Sequence, residues 1–111
     1  HGALMLGPRT TITAADRDAW HERLAAFEIT LLRDGIATDH GHSANVLGGG
    51  PLAALRHLLQ VLAADPQSPP LAAGEVVTTG TLTKALPIAA GESWSTRLSG
   101  LDLPGATVVF R

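Results

Sequence analysis

Glu75-Val76-Val77-Thr78-Thr79-Gly80-Thr81-Leu82-Thr83-Lys84 joins two β-branched valines to a run of threonines interrupted by one glycine. The pattern predicts a buried strand that ends in a loop. A Thr-Gly-Thr loop suits a carboxylate or phosphate, because the glycine lets backbone N–H groups come close and the hydroxyls donate. The alternative is an ordinary strand-to-loop junction whose threonines hydrogen-bond their own backbone. Lys84 at the loop's end reads as a solvated charge.

Around that stretch, 111 residues suffice for one domain with a modest core. The chain is 45% hydrophobic and 16% charged, with 12 Gly and 7 Pro, which describes a turn-rich globular protein rather than a disordered one. A formal charge of −2 gives nucleic acid and acidic membranes no general electrostatic hold. No cysteine is present, so disulfide and thiol chemistry are excluded and a cytoplasmic location fits. No apolar run approaches the roughly 20 residues a bilayer requires, and no signal-peptide pattern opens the chain. It starts directly on an apolar run without an initiator methionine, which suggests a piece of something longer.

Downstream, Ile88-Ala89-Ala90-Gly91-Glu92 repeats the turn Leu71-Ala72-Ala73-Gly74-Glu75. It leads into Trp94, Thr96 and Leu98 alternating with serines and Arg97, a half-buried antiparallel pattern. Gly100 to Gly105 turn the chain, and Ala106, Val108 and Phe110 give one face of a last strand. Upstream, Gly48-Gly49-Gly50-Pro51 opens a helix over about 51–64 whose apolar stripe is Leu52, Leu55, Leu59 and Leu62. That stripe is expected to pack on a sheet. No Gly-Lys-Ser/Thr follows the glycines, so they read as a tight helix entry rather than a phosphate cradle. Three prolines within 66–70 then stop the helix.

The first third is ambiguous. Ala3 to Leu6 reads as a short buried strand stopped by Gly7-Pro8. Thr13 and Asp16 have capping-box spacing, and Trp20, Leu24, Phe27 and Leu31 fall near one helical face. Against a helix, Ala25, Phe27, Ile29 and Leu31 alternate with other residues, and Asp34-Gly35 signals a hairpin turn. Ile36 to His42 would form the returning arm. His40 and His42 share one strand face beside Asp39, a pairing that could ligate a metal, but no third strong ligand accompanies them. His1, His21 and His57 are isolated.

Taken in order, Gly2 to Pro8, the Asp34-Gly35 turn, Leu47-Gly48-Gly49-Gly50-Pro51-Leu52-Ala53-Ala54-Leu55 and Ala73 to Thr83 resemble the C-terminal half of the 2-keto-4-pentenoate hydratases, within the fumarylacetoacetate hydrolase superfamily. The Ala90-Gly91-Glu92 turn and Val108-Val109-Phe110 fall where that family ends. The resemblance implies an α+β fold, a β-rich mixed sheet or β-roll with one clear helix at about 51–64. It also implies that Leu24 to Leu32 is a strand, leaving at most a helical turn near Ala14 to Asp18. Residues 1–111 would be the C-terminal part of one hydratase-like catalytic domain, with the N-terminal part absent.

The family's activity is a hydro-lyase reaction on 2-oxo or 2-hydroxy dienoic acids in aromatic-compound degradation, at magnesium or manganese. The resemblance implies substrate binding by Thr79, Gly80 and Thr81, with Leu82 and Thr83 lining the same pocket, in an enzyme expected to be a homo-oligomer. The family's metal is held by a Glu-x-Glu motif and a further acid. No Glu-x-Glu occurs here, so this chain is expected to hold no metal ligand, and alone to be inactive. A 4-oxalocrotonate decarboxylase-like enzyme and a non-catalytic binding or assembly module are the alternatives.

Overall fold

Asp34 and Gly35 adopt φ values of 51° and 80°, the two left-handed positions of a tight hairpin turn. In the computed structural model, which describes residues 4–46 and 48–111, this turn joins β1 (Glu28–Arg33) to β2 (Ile36–His42). The other edge of β1 pairs with β3 (Ser93–Ser99), and β3 pairs with β4 (Thr107–Val109). The sheet order is therefore β2-β1-β3-β4, antiparallel at every pairing. Asp34 ties the turn to β3 by two bonds: its N–H donates to the Ser93 carbonyl at 2.7 Å, and its Oδ1 accepts from the Ser93 N–H at 2.8 Å.

Two helices accompany the sheet. The N–H and hydroxyl of Thr13 both donate to Asp16 Oδ1, at 2.6 and 2.9 Å, just before α1 (Arg17–Ala26). α2 (Pro51–Ala64) starts where expected, with Pro51 in its first turn and Gly48, Gly49 and Gly50 all at positive φ before it. A Cβ on Gly50 would come within 3.2 Å of the Leu24 carbonyl oxygen, so the glycines let α1 lie close against the helix entry.

The core is small. Phe27, Leu32, Val46, Trp94 and Leu101 are its buried apolar residues, and Ser43 is fully buried among the polar ones. The Ser43 hydroxyl donates to the Ala25 carbonyl at 2.7 Å, and its N–H donates to the Phe27 carbonyl at 2.9 Å. Ala25 lies in the last turn of α1, where carbonyls lack helical partners. Ser43 thus fastens the end of α1 to the end of β2.

The echoed turns prove to be one structure used twice. Glu75 Oε2 accepts from the Ala72 N–H at 2.8 Å, and Glu92 Oε2 accepts from the Ala89 N–H at 2.9 Å. In each case the glutamate N–H returns a bond to the alanine carbonyl. Glu92 also accepts from the Trp94 indole N–H at 2.9 Å and faces the Arg33 guanidinium at 3.6 Å.

The α+β class holds, but several element expectations are corrected. α1 is a ten-residue helix, not a single turn, and the strand begins at Glu28 rather than Leu24, so both readings of that segment were partly right. Phe27 is extended and stops the helix, and the hairpin takes over from there. Val76 to Thr79 is not a strand: the segment has no ladder partner among the described residues, and Val76 is 53% exposed. Leu4 to Leu6 likewise form no strand and are exposed, while Ala3, His1, Gly2 and Leu47 lie outside the described residues. α2 lies mainly against α1 instead of the sheet, and none of its residues is fully buried.

Candidate functional site

Gly80 sits at φ 101°, which turns the Thr79–Thr83 segment back toward the end of β2. Thr79, Leu82 and Thr83 are half-buried, while Gly80 and Thr81 face solvent. The Thr81 hydroxyl donates to the Thr83 carbonyl at 2.7 Å, closing the loop on itself. Among the described residues, no carbonyl or side chain accepts from the N–H of Thr79, Gly80 or Thr81. The five sequence-predicted residues therefore form one loop with free donors at its tip. Lys84 is exposed, in keeping with a solvated charge.

The loop is docked, and the residues that dock it lie on and just after β2. Asp39 Oδ2 accepts from the Lys84 N–H at 2.8 Å. The Asn45 amide donates from Nδ2 to the Leu82 carbonyl at 3.1 Å. Between them Gly41 is buried, and a Cβ there would collide with the Leu82 carbonyl. The Asp39 carboxyl is held below its ordinary value, chiefly by the bond from the Lys84 N–H, with smaller help from the His40 backbone and from the Lys84 and His40 charges.

Two features flagged separately in the sequence, the Thr-Gly-Thr loop and Asp39-His40-Gly41-His42, are thus brought together, though not as a metal centre. His40 Nδ1 lies 3.2 Å from the Thr30 hydroxyl, and His42 Nδ1 accepts from the Ala44 N–H at 3.0 Å. Among the described residues, no group of three His, Cys, Asp or Glu is arranged to hold a metal ion. Sequence reasoning missed Asn45 and Gly41, for which no signal beyond proximity to the histidines was available, and saw Asp39 only as a metal ligand.

A cleft of about 450 Å³ opens elsewhere, between α1 and the entry of α2, lined by His21, Leu24, Gly48, Gly49, Gly50 and Arg56 among others. None of the loop residues lines it. No helix among the described residues is long and apolar enough to cross a membrane.

Neither a protein-family model nor a curated protein matches the chain. Solved structures do: 4-oxalocrotonate decarboxylase from Pseudomonas putida G7, complexed with calcium and acetate, is 29% identical with a TM-score of 0.68. The same decarboxylase complexed with magnesium and adipate matches equally, at 29% identity and a TM-score of 0.68. In both, the likeness covers 83% of this chain and 34% of the decarboxylase, so the chain spans about a third of that protein's length. The likeness is in keeping with an α+β scaffold of the fumarylacetoacetate hydrolase type.

Proposed function

We propose that residues 1–111 are the C-terminal part of a single hydratase-like catalytic domain, and that they anchor the substrate carboxylate in a cytoplasmic, metal-dependent 2-oxo-acid lyase. The reaction is addition of water to a 2-hydroxypenta-2,4-dienoate-like (2-keto-4-pentenoate) acid in aromatic-compound degradation. The observation that carries this reading is the docked Thr79–Thr83 loop, with its free N–H groups, on a scaffold similar to an enzyme whose structures hold acetate and adipate.

A divalent ion, magnesium or manganese, supplies Lewis-acid activation in such chemistry. Among the described residues no group of three His, Cys, Asp or Glu is arranged to hold such an ion, and its ligands are proposed to lie outside this chain. The role of this chain is binding and orientation. The N–H groups of Thr79, Gly80 and Thr81, which have no acceptor among the described residues, are the donors proposed for the carboxylate. The Thr81 hydroxyl exchanges its neutral bond to the Thr83 carbonyl for a stronger one to the charged substrate. Leu82 and Thr83 wall the same pocket.

Thr81→Ala in the natural full-length polypeptide is expected to weaken carboxylate binding by about 1–3 kcal/mol. Titration with adipate in the presence of magnesium, beside a magnesium-dependent dienoate assay, measures it. Unchanged affinity would remove the loop from the site. Decarboxylation of 4-oxalocrotonate, the reaction named for the solved neighbour, is the second reading, and product analysis separates carbon dioxide release from hydration.

A homo-oligomer is part of this proposal: the exposed apolar residues Leu59 and Val61 of α2, and Leu4 to Leu6, offer surface for the rest of the catalytic domain or for a second copy to cover. Sedimentation at working concentration is expected to give at least a dimer; a strictly monomeric mass would count against it.

A further inference from the structure

We infer that Asp39 is a positioning residue for the substrate loop, acting through the Lys84 backbone with Asn45 as its companion; this rests on the carboxylate-anchoring reading above.

Three independent features converge on it. The β1–β2 register slips between Leu31, opposite Asp39, and Leu32, opposite Ala37, so Thr38 has no partner. An extra residue of this kind re-aims the side chain that follows it, and here the next side chain is Asp39. The Thr38 hydroxyl donates to the Ile36 carbonyl at 3.0 Å, a local bond within the irregular stretch. Next, Asp39 accepts the Lys84 N–H and Asn45 donates to the Leu82 carbonyl, so the two bonds hold the loop's C-terminal side at alternate residues. Last, Gly41, between the two clamps, leaves room for the Leu82 backbone to lie directly on the strand.

The geometry divides the labour within the loop. Thr79, Gly80 and Thr81 carry the free donors, whereas Leu82 and Lys84 carry the bonds that fix where those donors stand. Asp39 touches no donor at the tip. Its carboxylate accepts from a backbone N–H, so its effect on a ligand passes through loop position alone. A carboxylate acceptor binds an N–H more strongly than a neutral oxygen, so Asp39→Asn retains a weaker form of the same clamp.

The test is adipate titration with magnesium on the natural full-length polypeptide, comparing Asp39→Ala, Asp39→Asn and Thr81→Ala, with hydrogen exchange at the Lys84 amide. The expected result is a roughly tenfold weaker dissociation constant for Asp39→Ala, within about threefold of wild type for Asp39→Asn. In turnover, KM rises while kcat changes little, because a misplaced anchor affects bound substrate and transition state alike. If Thr81→Ala loses affinity and Asp39→Ala binds adipate like the wild type, the clamp is overturned and the anchoring reading stands. If Thr81→Ala also binds normally, the anchoring reading fails and takes the clamp with it. Should Asp39→Ala not fold, exchange in the unaltered protein decides: a protected Lys84 amide supports the clamp, and one exchanging at the rate of an open chain overturns it.

Discussion

Trp94→Ala is expected to lower the unfolding free energy by about 3–5 kcal/mol, the usual range for removing a buried tryptophan. A domain of this size has only about 5–15 kcal/mol to lose. Trp94 is 8% exposed at the second position of β3, directly opposite Arg33 on β1 and Val108 on β4. Its ring carries the Arg33 guanidinium at 5.8 Å, and its indole N–H meets Glu92. Removing it opens the junction of three strands at once. Urea denaturation followed by circular dichroism measures the loss, and a change below about 1 kcal/mol would place Trp94 outside the core.

The same corner has a pH signature. Glu92 is held below its ordinary value, first by the Ala89 N–H and then by the Trp94 indole, with Arg33 adding to the effect and Asp34 opposing it. A depressed carboxylate stabilises the fold above the unfolded value and loses that contribution as pH falls through the folded one. In Trp94→Phe the indole bond is gone while the Ala89 bond remains, so the acid loss should become shallower without vanishing.

Legibility in the sequence followed the range of the interactions. Asp34-Gly35, Pro51 after three glycines, and the paired Ala-Gly-Glu turns are local devices whose geometry needs only neighbouring residues, and each is found where its residues stand. The alternation around Trp94 was equally readable, because β3 has partners on both edges. Val76 and Val77 misled for the opposite reason. Their β-propensity is real, but a strand exists only beside another strand, and the described residues supply none. The segment from Leu24 to Leu32 held both a helix end and a strand start, so either period fitted half of it. The loop's composition marked it as a candidate site, yet the bond between Asp39 and Lys84 spans residues far apart in sequence, and no pattern announces such a pair.

Gly41→Ala is expected to damage the candidate site more than any substitution at its exposed tip. An added Cβ would fall on the Leu82 carbonyl, with the Leu82 carbonyl carbon at 2.7 Å and Ile29 Cγ2 at 3.1 Å. Two of these three atoms are backbone, so relief requires moving either β2 or the loop, and overpacking of this kind costs about 1–3 kcal/mol. β2 is paired with β1 on both sides of Thr38, whereas the hydrogen bonds that hold the loop to β2 and the residues after it, among the described residues, are those of Asp39 and Asn45. The loop therefore lifts, both clamps stretch, and the free N–H groups at Thr79 to Thr81 leave their positions. Gly7→Ala is the matched control, since nothing lies within 4 Å of a Cβ there. The expected result is a lower melting temperature and at least tenfold weaker adipate binding for Gly41→Ala, against wild-type behaviour for Gly7→Ala. Wild-type melting and affinity in Gly41→Ala would mean that the loop does not rest on β2. In the sequence nothing marks this glycine beyond its place between two histidines; its role is to be the smallest residue beneath a backbone that needs the space.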